Sequence, residues 1–391
     1  MNNRNFQYAS VAGPTTSGTA ITMANLVFTG AVDDRYMVIG SSAAGLTIEA
    51  FDASIEDAAG AMTLTNPIAP RDIVSDVYSL PMIFSYTLIA TGFDLRITGN
   101  SVGTADLTMR QSCMAAFKML GSDLTSGDYA AAGSSTTRSD GSYDTVTNST
   151  VTIVKSGEYL IFANAFCRKD ELTANFDIRL ALNATTGYGQ QSMRANSTTG
   201  FFPWAHMRKL TLTAGDVLTI QHKVTTTGTM ITNNASVVAL YIDDFPNVLE
   251  IEDTADASQN TADTDWHDHG NMNNVYALQP YKALLLSCGQ YRRGGGSVDA
   301  SMQTLYDGTT IQETRNESVI ANGEATHFCA KALDPATGGQ HSLTQQIKNH
   351  GTGITSAFIS DGATAVLQMN NNATMRIRGN ATIFGNAKMG L

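Results

Sequence analysis

Charge is what this chain has least of: Asp, Glu, Lys and Arg make up only 15% of its 391 residues, against roughly a quarter in an average soluble domain. Its polar surface must come from Thr, Ser, Asn, Gln and Gly, a composition that suits β-structure meeting other protein. Basic residues are the scarcer sign, 24 against 35 acidic ones, for a formal charge of −11. Nucleic-acid affinity comes chiefly from Lys and Arg displacing counterions, so no nucleic-acid partner is expected. The pairs Arg168-Lys169 and Arg292-Arg293 read as turn residues. The four cysteines, Cys113, Cys167, Cys288 and Cys329, lie far apart without CxxC spacing, which fits small buried hydrophobes or free thiols better than a disulfide or zinc framework.

Long apolar runs are missing too. None approaches the ~18 residues of a membrane span, and Met1 to Tyr8 lack the basic and then apolar regions of a secretory leader. The expectation is a soluble chain made in a host cytoplasm, without membrane insertion.

What the sequence does have is alternation. In Lys209-Leu210-Thr211-Leu212-Thr213-Ala214-Gly215-Asp216-Val217-Leu218-Thr219-Ile220-Gln221, Leu210 and Leu212 share one face, as do Leu218 and Ile220, with Gly215-Asp216 as the turn. Similar short strands recur throughout, so the fold class expected is all-β: an N-terminal β domain and then two antiparallel jelly-roll sandwiches. Gln111 to Leu120 is the best candidate for a short helix. The boundaries expected are 1–120 for a β-rich attachment domain, 121–150 for a Gly/Ser/Thr/Ala-rich linker, and 151–246 for the first jelly roll. An acidic linker at 247–274 and a second, divergent roll with a C-terminal tail at 275–391 complete the chain.

The two rolls look duplicated. Tyr159 to Lys169, an apolar strand ending in two basic residues, is followed by a loop and then Phe176 to Asn183. Ala283 to Arg293 and then Ala300 to Asp307 repeat that plan at a constant offset.

Candidate sites are sparse. Asp265, His267 and His269 fall in the densest polar cluster, Asp263 to His269, where carboxylates and imidazoles could hold Ca²⁺ or a transition metal. No Gly-anchored calcium loop accompanies them, so the cluster reads first as a solvated connector and no metal or cofactor is assigned. Phe202 and Trp204 could form an aromatic platform for a partner or sugar, although an aromatic core or subunit contact is the plainer reading. Phe6 and Tyr8, on a loop-like arm, are candidates for anchoring the chain to a partner. His327 and Cys329 share a strand face, but nothing supplies the third group that a Cys-His nucleophile needs. Gly294-Gly295-Gly296 opens no helix and carries no Gly-Lys-Ser/Thr. No enzyme is expected.

Gly157-Glu158-Tyr159-Leu160-Ile161-Phe162, Leu210 to Ile220 with its Gly-Asp turn, and Asn234 leading into Val237 to Ile242 together resemble the globular head of the C1q and tumour-necrosis-factor superfamily. The resemblance covers 146–246, with 275–370 as a weaker copy in which Leu343-Thr344-Gln345-Gln346-Ile347 lacks the Gly-Asp turn. It implies a jelly roll that forms homotrimers and works by binding. Without a secretory leader or collagen-like stalk, such a Thr/Asn/Gly-rich chain is similar to tailed-phage virion proteins. The implied role is capsid decoration, with the major capsid protein or other virion proteins as partners. A fibre that recognises a host-surface glycan is the alternative, and a virion-associated glycan-cleaving enzyme a more distant one.

Overall fold

The computed structural model describes residues 6–11, 15–17, 21–46, 51–57, 77–88, 92–101, 107–126, 141–171, 175–193, 201–225, 228–242, 247–253, 264–293, 299–316, 324–333, 337–350 and 357–369. These form an all-β molecule of antiparallel sheets. Among them no helix is long and apolar enough to cross a membrane.

The middle of the chain sets the pattern. Its strands are β9 (Leu124–Thr125), β10 (Asp144–Thr152), β11 (Gly157–Lys169), β12 (Phe176–Leu182), β13 (Thr186–Met193), β14 (Phe202–Leu212), β15 (Val217–Val224) and β16 (Met230–Tyr241). They pair as two four-stranded sheets, β14-β11-β16-β9 and β10-β15-β12-β13. Counted within the roll these are the orders 6-3-8-1 and 2-7-4-5, the winding of a jelly roll. The next eight strands repeat both orders: β17 (Asn247–Asp253), β18 (His267–Leu278), β19 (Lys282–Arg293), β20 (Ala300–Tyr306), β21 (Thr309–Asn316), β22 (Glu324–Leu333), β23 (Gly339–Asn349) and β24 (Ala357–Met369). Their sheets run β22-β19-β24-β17 and β18-β23-β20-β21, so the divergent copy keeps the full topology.

The N-terminal region is a third roll, which the sequence did not reveal. Its strands are β1 (Phe6–Val11), β2 (Thr15–Ser17), β3 (Ile21–Thr29), β4 (Arg35–Leu46), β5 (Phe51–Asp57), β6 (Val77–Thr87), β7 (Gly92–Ser101) and β8 (Leu107–Lys118). With β1 and β2 both lying on β8, the order β6-β4-β8-β1 matches 6-3-8-1, and β3-β7-β5 matches 2-7-4.

Three expectations change accordingly. Gln111 to Leu120 falls mostly within β8 instead of a helix. Both faces of β8 are covered, so Cys113 to Phe117 read as a continuous apolar run with no period of two. Within 247–274, read as a linker, Asn247–Asp253 pairs with β24 and the strand from His267 pairs with β23. Within 121–150, Leu124–Thr125 pairs with β16 and the strand from Asp144 pairs with β15. Backbone pairing satisfies these polar segments despite their composition. Residues 127–140 and 254–263 of the two expected linkers, and Gly294 to Gly296, lie outside the described residues.

Candidate functional site

His327 and the four cysteines are buried. His327 lies between the hydroxyls of Thr304 (2.8 Å from Nε2) and Thr314 (3.0 Å from Nδ1). Burial disfavours its charged form and pushes its pKa down to about 3. Burial likewise pushes the Cys113 and Cys167 thiols up to about 12, and raises that of Cys329, so none supplies a thiolate at neutral pH. Of the partner-binding candidates, Trp204 is fully buried in the middle roll's core and donates its indole N–H to the Gly189 carbonyl (3.1 Å). Phe202 lies in the same core. The aromatic platform is thus an internal one. The backbone of Phe6 and Tyr8 pairs with Phe117 and Ala115 of the chain's own β8. His269 is buried, while Asp265 is exposed on the segment leading into β18 and His267 is half-buried. Among the described residues no three His, Cys, Asp or Glu side chains converge as metal ligands.

What the structure does bring together is three sheets. One core cluster takes Met37, Ile39, Ile83 and Phe117 from the first roll, Leu160, Phe162, Met207 and Leu240 from the second, and Leu284, Leu286, Phe328 and Leu367 from the third. Strand register makes these equivalent sets. Met37 opposes Phe117, Leu160 opposes Leu240, and Leu284 opposes Leu367. One pair further along, Ile39, Phe162 and Leu286 oppose Ala115, Val238 and Ala365, and beyond them Ser41, Asn164 and Cys288 oppose Cys113, Ser236 and Ala363.

The contacts between rolls are cyclic. Strand six of the third roll, β22, packs on β4 and β8; strand six of the second, β14, packs on β19; strand six of the first, β6, packs on β11 and β16. Polar contacts follow the same rotation. The Ser41 hydroxyl lies 3.1 Å from the Phe328 carbonyl, and the Cys288 thiol points to the Ala205 carbonyl at 3.4 Å. Phe328 and Ala205 are equivalent, being the strand-six partners of Cys288 and Asn164. Asn164 is the remaining equivalent. It is fully buried, and neither its amide nitrogen nor its oxygen has a hydrogen-bond partner. At the far ends of the strands, Gln191 donates to the Glu324 carbonyl (2.9 Å) and Arg315 pairs with Val77, again strand five of one roll against strand six of the next.

Because the rolls are level along this axis, the turn preceding strand three of each lies at the same end. These turns are Gly30 to Asp34, Ile153 to Ser156 and Gln279 to Tyr281. Each carries an exposed apolar residue at its tip: Val32 (48% exposed), Val154 (63%) and Pro280. The turns after strand four reach the same end, with Asn183-Ala184 and Asp307-Gly308 both in the left-handed region. Asn183 Oδ1 accepts the Val217 N–H (2.8 Å), and Asp307 Oδ1 accepts the equivalent Ser342 N–H (2.8 Å).

No family model and no curated protein sequence matches the chain. Similar solved structures include the tandem CBM22 domains of Paenibacillus barcinonensis Xyn10C, at 8% identity over 56% of this chain and 82% of that one, TM-score 0.20. A Sulfolobus turreted icosahedral virus structure is 8% identical over 93% and 92%, TM-score 0.21. The VP2 subviral particle of infectious bursal disease virus is 7% identical over 99% and 86%, TM-score 0.23. Likenesses this low carry no argument about activity, and the jelly-roll assignment rests on the chain's own strand pairing.

Proposed function

We propose that this chain is a non-enzymatic structural protein of a virus particle, a capsid-decoration protein of a tailed phage built from C1q/TNF-like rolls. One observation carries the reading: three jelly rolls close around a common core, and His327 and the four cysteines are buried. Such a molecule offers a rigid, weakly charged outer surface for contact with other protein. Its partner in this reading is the major capsid protein.

The test is immunogold labelling and quantitative mass spectrometry of purified parent particles, paired with a host-adsorption assay on particles that lack the chain. Labelling over the capsid with unchanged adsorption supports decoration. Labelling at a tail or fibre with lost adsorption favours the receptor-binding alternative, in which a host-surface glycan is the ligand. Absence from particles overturns the virion reading.

A further inference from the structure

Packing the inner sheets of three rolls against one another needs three copies when each chain contributes one roll. Here a single chain provides all three, and strand six of each seats on strand three of the next around a closed ring. The faces that would join separate chains are therefore already covered: Leu160, Phe162, Leu284, Leu286, Met37 and Ile39 are at most 1% exposed. A ring that closes on itself leaves no open face for a further copy to extend.

We infer that one chain stands in for a trimer, and that its partner is a threefold set of identical shell subunits engaged by the end bearing Val32, Val154 and Pro280. This rests on the virion reading above. Three topologically equivalent turns at one end each hold out an exposed apolar residue, Val32, Val154 or Pro280, with Ala31 exposed beside the first. Val32 and Val154 are half of the four large hydrophobics exposed among the described residues. Each tip would fill the same small apolar recess on one of three subunits related by a threefold axis, an arrangement whose individually weak contacts add through shared geometry. The matching symmetry of the partner follows from the rotation that relates the tips.

Two measurements test this. Sedimentation and mass photometry of the full chain should give the mass of one chain, and counting chains on particles should give one per threefold position. A three-chain species in solution, or three chains at each position, overturns the inference while leaving the virion role intact. The second measurement uses Val32→Asp, Val154→Asp and Pro280→Asp, singly and together, with binding to emptied particles as readout and circular dichroism as the check on folding. Each single change should weaken binding roughly tenfold, and the triple variant should abolish it. Binding of the folded triple variant at wild-type strength assigns docking elsewhere and overturns the proposed surface. If the wild-type chain binds no particle, the virion reading itself falls.

Discussion

The second and third rolls share strand order, register and the left-handed turn after strand four, yet they fill equivalent positions with different chemistry. Where the second has Trp204, Ala205 and Asn164, the third has His327, Phe328 and Cys288. Turn geometry tolerates little change, because Asn183 and Asp307 must both adopt positive φ and both cap a neighbouring strand. Filling tolerates much more, provided that the volumes around the axis add up. Phe328 is offset by Ala205 at the same level, and Met207 by Ala330. Three identical chains would have to repeat one side chain three times at each level, whereas a single chain can mix large and small ones.

The largest break in this comparison should come from Phe328→Ala. It empties the bulkiest of these strand-six positions and should cost about 3–5 kcal/mol, read as a lowered denaturation midpoint. The converse change, Ala205→Phe, should also destabilise, because the space is already taken. A drop below 1 kcal/mol in the first variant would show that the rolls do not share a core.

Acid should distinguish the two rolls next. His327 titrates near 3 in the folded chain, owing to burial, and near 6.5 when unfolded. Its pKa is depressed on folding, so its contribution is complete above pH 6.5 and is lost as pH falls from there toward 3. The slope is about 1.4 kcal/mol per pH unit across that window. Trp204, its counterpart, does not titrate. A His327→Leu variant should start from lower stability at pH 7, because the Thr304 and Thr314 hydroxyls each lose one hydrogen bond, but its urea midpoint should depend less on pH. An unchanged pH slope would remove His327 as the cause.

Turn exchange sharpens the comparison on a smaller scale. Asp307→Asn copies the second roll and should fall within about 0.5 kcal/mol of wild type, since Asn keeps both the positive φ and the acceptor oxygen, and the His341 contact that it gives up (2.7 Å) is an exposed one. Asn183→Asp should cost more, about 1 kcal/mol, because Asn183 Nδ2 donates to Asp216 (2.8 Å) and a carboxylate there would face another. Equal effects would mean that the Asp216 contact contributes nothing.

A gain instead of a loss is expected at the buried polar pair. Asn164 and the opposed Ser236 hydroxyl both lack partners inside the shared core. Copying the third roll with Asn164→Cys and Ser236→Ala should raise stability by about 1 kcal/mol, seen as a higher Tm. A fall instead would show that a buried water satisfies the pair.

Much of this architecture could be read from sequence, and the parts that could not have physical causes. The end of β14 alternates as expected, with Lys209 and Thr211 exposed and Leu210 and Leu212 packed inward, and Gly215-Asp216 forms the expected turn, with Asp216 capping Thr213 (2.8 Å). The duplication was legible because two basic residues and an Asn or Asp recur at strand ends. The first roll ends its strand four on Asp57 but lacks the two basic residues at the end of strand three, so its equivalence emerges only from pairing. Inner strands such as β8 and β11 are covered on both faces, which erases the period of two. Trp204 and Phe202 illustrate the same ambiguity: an aromatic cluster reads alike in a core and in a binding platform until its neighbours are known.

The closed ring has a further consequence, in mass action. Separate subunits that share a core lose it on dilution, because their interface competes with the entropy of free chains. Here the rolls are covalently joined, so each is held beside the others at an effective concentration set by short connections such as Met119 to Asp123. The shared core should therefore melt at the same temperature at nanomolar and micromolar protein, persisting where an assembly of equal contact area would have come apart.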